Sequence, residues 1–163
     1  MTQDSQHPAA RLVDKQRALV LAIADPAPWS APVYFLYSRG NFYFFSSPES
    51  RHIRAAISHG CCAASVYRQS DNWQDIEGLQ MEGAVQHIPP GKGALSILSA
   101  YLAKFPTVKD SFTEPGFDLN LTSFCNLFHA ELYAFRPTRV FYLNNRQGFA
   151  ARCDITTVFH SCR

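Results

Sequence analysis

The stretch SSPESRH, Ser46 to His52, places three hydroxyls, a guanidinium and an imidazole directly after the aromatic run NFYFF. Arg51 can grip a phosphate with two parallel N–H donors, and the hydroxyls add neutral ones. If a helix starts here, its free backbone N–H groups and the positive end of its dipole favour the same anion. A plainer reading fits the residues equally well: a capped helix with Arg51 and Arg54 solvated, and Glu49 unfavourable to an anion. The remaining constellations are weaker. No G-x-S-x-G, G-x-x-x-x-G-K-[ST] or H-E-x-x-H motif occurs. GKG at Gly91 to Gly93 follows Pro90 and reads as a turn. His7, His52, His59, His87, His129 and His160 are scattered. Cys61 and Cys62 are neighbours in a strand, so they point to opposite faces and suit buried thiols better than a metal pair.

The elements that must position these groups follow from periodicity. ARLVDKQR is a short helix with Leu12 and Val13 inward. ALVLAIAD (Ala18 to Asp25) is apolar on both faces, as a central strand is. PAPWSAP is expected as a loop, because its prolines break regular structure. VYFLY, the turn SRGN and FYFF then form a β-hairpin from Val33 to Phe45. The helix after it is predicted over Pro48 to His59, with Ser47 as N-cap, Ile53, Ala56 and Ile57 as its apolar stripe, and Gly60 ending it. CCAASVYRQ and IEGLQMEGAVQHI are strands; Gly78 and Gly83 in the second indicate a bulge or a close approach. Lys92 to Lys104 is an amphipathic helix ending before Pro106. The segment from Pro106 to Phe128 is expected to hold a short helix and a loop. HAELYAF and RVFYL read as two strands joined across RPT, followed by the loop NNRQGF and a peripheral tail.

With 163 residues, 47% hydrophobic and 17% charged, the chain suits one domain, residues 1–163, with 1–14 and 153–163 peripheral. Its net charge of +2 and lack of a basic run argue against nucleic acid as a partner. No apolar run is long enough to span a membrane, and the polar N-terminus is not a targeting signal, so a cytoplasmic protein is expected. An odd number of cysteines, five, agrees with reduced thiols. Many strands with few helices point to a mainly β fold: a six- to seven-stranded antiparallel barrel with flanking helices.

In this order the motifs acquire a likeness. APVYFLYSRGNFYFFSSPESRHIRAA, IEGLQMEGAVQHI, LSAYLAKFP and ELYAFRPTRVFYLNNRQGF, spanning about Lys15 to Arg152, resemble the pyridoxamine 5'-phosphate oxidase-like FMN-binding split-barrel family, in particular its small bacterial members. The resemblance implies a homodimer with FMN in two clefts at the interface. It puts the phosphate on Ser46, Ser50, Arg51 and His52, and the isoalloxazine against Val33, Tyr34 and the apolar wall from Ala31 to Phe35. It places Gln80 near the flavin, and Asn144 and Asn145 on a loop that reaches the cofactor, often in the partner subunit. The implied activity is flavin-dependent oxidoreduction with a small-molecule donor and acceptor. His52 and Tyr101 are the titratable candidates near the chemistry, but neither is assigned as acid or base. Vitamin B6 chemistry is not expected: Ala31 to Tyr37 contains no Lys or Arg, Phe105 replaces a basic residue, and GFAARCD lacks the Arg-x-His of the oxidase. The alternative in the same fold is a non-catalytic haem- or flavin-binding or storage protein, with His129 or His160 as axial ligands. A deazaflavin in the cleft is a third possibility.

Overall fold

The computed structural model describes residues 7–110 and 120–161. In chain order the elements are α1 (Pro8–Lys15), β1 (Ala18–Asp25), β2 (Ala27–Tyr34), β3 (Leu36–Ser38), β4 (Asn41–Ser46), α2 (Arg51–His59), β5 (Cys62–Tyr67), β6 (Glu77–His87), α3 (Lys92–Lys104), α4 (Pro106–Asp110), α5 (Leu121–Phe128), β7 (Glu131–Asn144), β8 (Arg152–Asp154) and α6 (Thr156–Ser161). The readings of Met1 to Gln6, of 111–119 and of Cys162 lie outside the described residues. No described helix is long and apolar enough to cross a membrane.

All strand pairs are antiparallel, in the order β2-β1-β5-β6-β7-β4-β3, with β8 beside β7. The two ends of this order, β2 and β3, are consecutive along the chain. The path from Ala27 to Ser38 therefore pairs first with β1 and then, past Phe35, with β4. This crossover curls the sheet into a split barrel.

Three expectations are corrected here. PAPWSAP is not a loop: Ala27 to Tyr34 is a strand turning back on β1 at Pro26. Pro28 and Pro32 are tolerated because β2 has no partner on its other side, so no ladder donor is missed. The hairpin after it starts at Leu36, not Val33, and turns through Arg39 and Gly40, both at positive φ. HAELYAF and RVFYL are one strand, β7. Glu82 pairs with Arg139 and Gly83 with Pro137, so Thr138 is an extra residue in a bulge. That bulge admits Pro137 to a central strand.

Alternate residues fill the barrel: Leu19, Leu21 and Ile23 of β1, Phe42 and Phe44 of β4, Leu79, Met81 and Val85 of β6, Phe135 and Val140 of β7. The opposite side of β4 is also covered. Tyr43 and Phe45 pack with Leu98, Leu102, Leu121 and Phe124 of α3 and α5. Tyr101 belongs to this layer, and burial raises its phenol to about 12. The tail from Ala150 is structured: Ile155 and Phe159 enter the core.

Candidate functional site

β4 ends at Ser46, and α2 begins at Arg51 with Ser50 as N-cap. The predicted start at Pro48, with Ser47 as cap, is three residues early. Ser47 instead closes its own turn: its Oγ accepts the Glu49 N–H at 3.3 Å, and its carbonyl accepts the Ser50 N–H at 3.1 Å and the Ser50 hydroxyl at 2.8 Å. Because that hydroxyl points backward, Ser50 gives the helix no side-chain cap. At the far end Gly60 ends α2 with φ of 69°, as expected. The buried side of α2 is Ile53, Ala55 and Ala56, whereas Ile57 is 48% exposed and not part of the core stripe.

Ser46 Oγ lies 2.8 Å from His52 Nε2 and 3.4 Å from Ser50 Oγ, and Ser50 Oγ lies 3.3 Å from the same nitrogen. Three polar side chains meet at one point beside the uncapped helix start. Burial holds the His52 imidazole below its ordinary pKa, which favours the neutral ring. Its Nε2 can accept from a serine or donate to an anion, according to tautomer. Arg51 reaches β2. One Nη donates to the Ala27 carbonyl at 3.2 Å, and the guanidinium lies 4.7 Å from the centre of the Trp29 ring.

Trp29 belongs to the wall of a cleft of about 860 Å³, a size suited to a small molecule or part of a cofactor. Ala22, Ala24, Ser30, Ala63 and Ala84 from the outer side of β1, β2, β5 and β6 make its floor, with Glu82, Gly83 and Thr138 at the bulge. His59, Gly60 and exposed Cys61 close one side. Cys62, next along, is buried, as the opposite-face argument requires; burial lifts its thiol to about 11.

The remaining predicted residues are placed apart. Val33 packs against the barrel core, while Tyr34 faces outward and stacks on Phe105 at 5.0 Å. The stretch from Ala31 to Phe35 is thus not a continuous wall: Ala31 and Phe35 are buried, and only Pro32 and Tyr34 are exposed. Gln80 is exposed in the row Pro32, Val20, Ser65, Gln80, three strand spacings or about 14 Å from Pro32. Asn144 and Asn145 lie at the other end of β7 from Glu131, the partner of Ser46, about 40 Å along the strand. One chain therefore unites Ser46, Ser50 and His52 with Arg51 alongside, and does not bring Asn144 or Asn145 to them. His129 caps α5 in the left-handed conformation, on a cleft with Ser47, Pro48 and Glu131. The side chain of His160 lies outside the described residues.

Asn145 has a clear structural task. Its Nδ2 donates to the Trp73 carbonyl at 2.8 Å, and its Oδ1 accepts the Ala150 N–H at 3.1 Å. It is 7% exposed and ties the loop before β6 to the loop after β7, as does the Arg146–Asp75 ion pair. Asn145→Ala is expected to cost about 2–3 kcal/mol in urea unfolding by orphaning buried backbone groups, and to speed proteolysis in both loops.

Sequence reading missed Trp29 and the cleft floor. The available signal was ALVLAIAD, whose outward residues Ala18, Val20, Ala22 and Ala24 are small and apolar where a solvated face would be polar.

The architecture is a split barrel, the fold shared with pyridoxamine 5'-phosphate oxidase-like proteins. Among solved structures, a haem-binding protein from Mycobacterium smegmatis matches with TM-score 0.67 and 14% identity over 99% of this chain; the chain spans 61% of that protein's length. An FAD-binding protein from Mesorhizobium loti matches with TM-score 0.59 and 19% identity, over 80% of this chain and 87% of that one. A Listeria innocua protein provisionally described as a pyridoxamine 5'-phosphate oxidase matches with TM-score 0.61 and 13% identity, over 83% and 95%. At such identities the likeness is one of fold. No family model and no curated protein matches the sequence.

Proposed function

We propose that the chain is a homodimeric FMN-binding flavoprotein, with oxidoreductase chemistry on a small-molecule donor and acceptor. The observation that carries this reading is the convergence of Ser46, Ser50 and His52 at an uncapped helix start, with Arg51 beside it, in a split barrel. These residues fit a phosphate. The hydroxyls and Nε2 exchange their mutual contacts for phosphate oxygens, the α2 N–H groups point to the same place, and Arg51 swings from the Ala27 carbonyl to add charge. FMN, when bound, supplies hydride acceptance and donation at its ring. The protein's part is to fix the phosphate, offer an apolar floor and limit water. The small residues on the outer side of β1, β2 and β5 suit both a flat ring and a second barrel.

The second copy has a specific task in this reading. Gln80 pairs with Phe141, ten residues or about 33 Å along β7 from the Ser46 partner Glu131, and Asn144 and Asn145 lie farther still, so any contact these three make with the same flavin comes from the partner subunit in a two-fold arrangement. Dilution below the dimer dissociation constant should then release FMN, followed by the recovery of its fluorescence. Retention of FMN by a monomer in sedimentation at the same concentrations would contradict the shared cleft.

The haem- or flavin-storage reading is favoured by one observation: His59 stands on the wall of the apolar cleft. It predicts a Soret band after haem addition that His59→Ala removes.

A further inference from the structure

Beside the turn that leads into α2, a groove of about 440 Å³ runs between α2 and the start of β7. Its apolar side is Pro48, Ile53 and the exposed Ile57. Its polar side is a connected cluster. Glu131 Oε2 accepts the Tyr133 hydroxyl at 3.2 Å and lies 3.2 Å from His87 Nε2. Tyr133 is buried, and burial together with Glu131 raises its phenol well above the ordinary value, so it stays a donor. Both contacts fall on one carboxylate oxygen, which leaves Oε1 open as an acceptor. Arg54 lines the same groove, and among the described residues no hydrogen bond or ion pair engages its side chain. Ser58 adds a hydroxyl.

We infer that this groove is a second small-molecule site, selective for zwitterions of the α-amino-acid type with an apolar side chain. The carboxylate pairs with the Arg54 guanidinium and the Ser58 hydroxyl, the ammonium donates to Glu131 Oε1, and the side chain lies on Ile53, Ile57 and Pro48. The charges match in sign and kind: one permanent cation, one carboxylate held in place by two neighbours, and an apolar strip. A plain carboxylic acid leaves Glu131 unanswered and also meets its charge. A plain amine leaves Arg54 unanswered. The ligand-binding groups here, Arg54, Ser58 and Glu131, are distinct from the Ser46, Ser50, Arg51 and His52 cluster, so FMN binding and leucine binding can be measured separately.

The probes are L-leucine and L-phenylalanine, with 4-methylpentanoate and isoamylamine as leucine lacking one charge each. Chemical-shift titration of the full chain should show saturable binding of the amino acids, centred on Ile57 and Tyr133. Each one-charge analogue should bind at least about tenfold more weakly, and Arg54→Ala and Glu131→Gln should each weaken leucine by a similar factor. Both positions are at the surface, so these variants keep the fold. The inference is overturned if neither amino acid saturates at millimolar concentrations. It is also overturned if 4-methylpentanoate binds as well as leucine, or if leucine binding survives both substitutions.

Discussion

Arg51→Ala is expected to weaken FMN binding by about 1.5–3 kcal/mol, a loss of roughly 10- to 150-fold. The guanidinium is the permanent cation at the first residue of α2, and a phosphate dianion there needs one. In the free protein Arg51 already donates to the Ala27 carbonyl and lies on Trp29, both at the surface. Its removal should therefore cost the fold less than about 1 kcal/mol. Riboflavin separates the two effects. It lacks the phosphate, so its affinity should be the same for the parent protein and for Arg51→Ala in a fluorescence titration. Arg51→Lys should recover part of the FMN affinity, since it keeps the charge but loses the fork. Equal FMN affinities for the parent and Arg51→Ala would remove Arg51 from the site.

The largest effect on stability is expected at Gly83. A Cβ there would lie 2.3 Å from the Arg136 carbonyl oxygen, 2.9 Å from its carbon and 2.7 Å from Phe135 Cζ. Two of these atoms are backbone, so β6 and β7 must separate for an alanine to fit, and they do so at the bulge where Thr138 is the extra residue. Phe135 is fully buried, so its ring has no space to retreat. Gly83→Ala should cost about 3 kcal/mol or more in urea unfolding. Gly78→Ala is the control on the same strand. Its Cβ meets the Val66 carbonyl at 3.0 Å and Tyr67 at 3.3 Å, a contact that small shifts relieve. A Gly83→Ala protein as stable as Gly78→Ala would refute the close approach. The same contact shapes the cleft, because Gly83 and Thr138 stand in its wall.

These two positions also show what the sequence could and could not reveal. Gly83 inside an apolar strand, and RPT inside what proved to be β7, were two halves of one feature. Each residue signalled irregularity, but only the pairing of Gly83 with Pro137 shows that a bulge, not a strand break, accommodates both. PAPWSAP misled for a related reason. Proline excludes a strand only where the strand is paired on both sides, and β2 is an edge whose continuation as β3 closes the barrel elsewhere. Edge status is a property of topology, which no local window contains. At the site, Ser46, Ser50 and His52 were legible because turn and strand end bring them together locally. Trp29 was not, since its meeting with Arg51 depends on how β2 lies beside α2. The two apolar faces of β1 were legible as composition. The inward face is the core, and the outward one is the cleft floor.

FMN binding is tested by the absorption spectrum of freshly purified protein, before and after saturation with FMN. Flavin bands are expected to persist through gel filtration, and FMN is expected to raise the melting temperature more than riboflavin does. A colourless protein whose melting temperature FMN leaves unchanged, or one that carries only a Soret band, would contradict FMN binding.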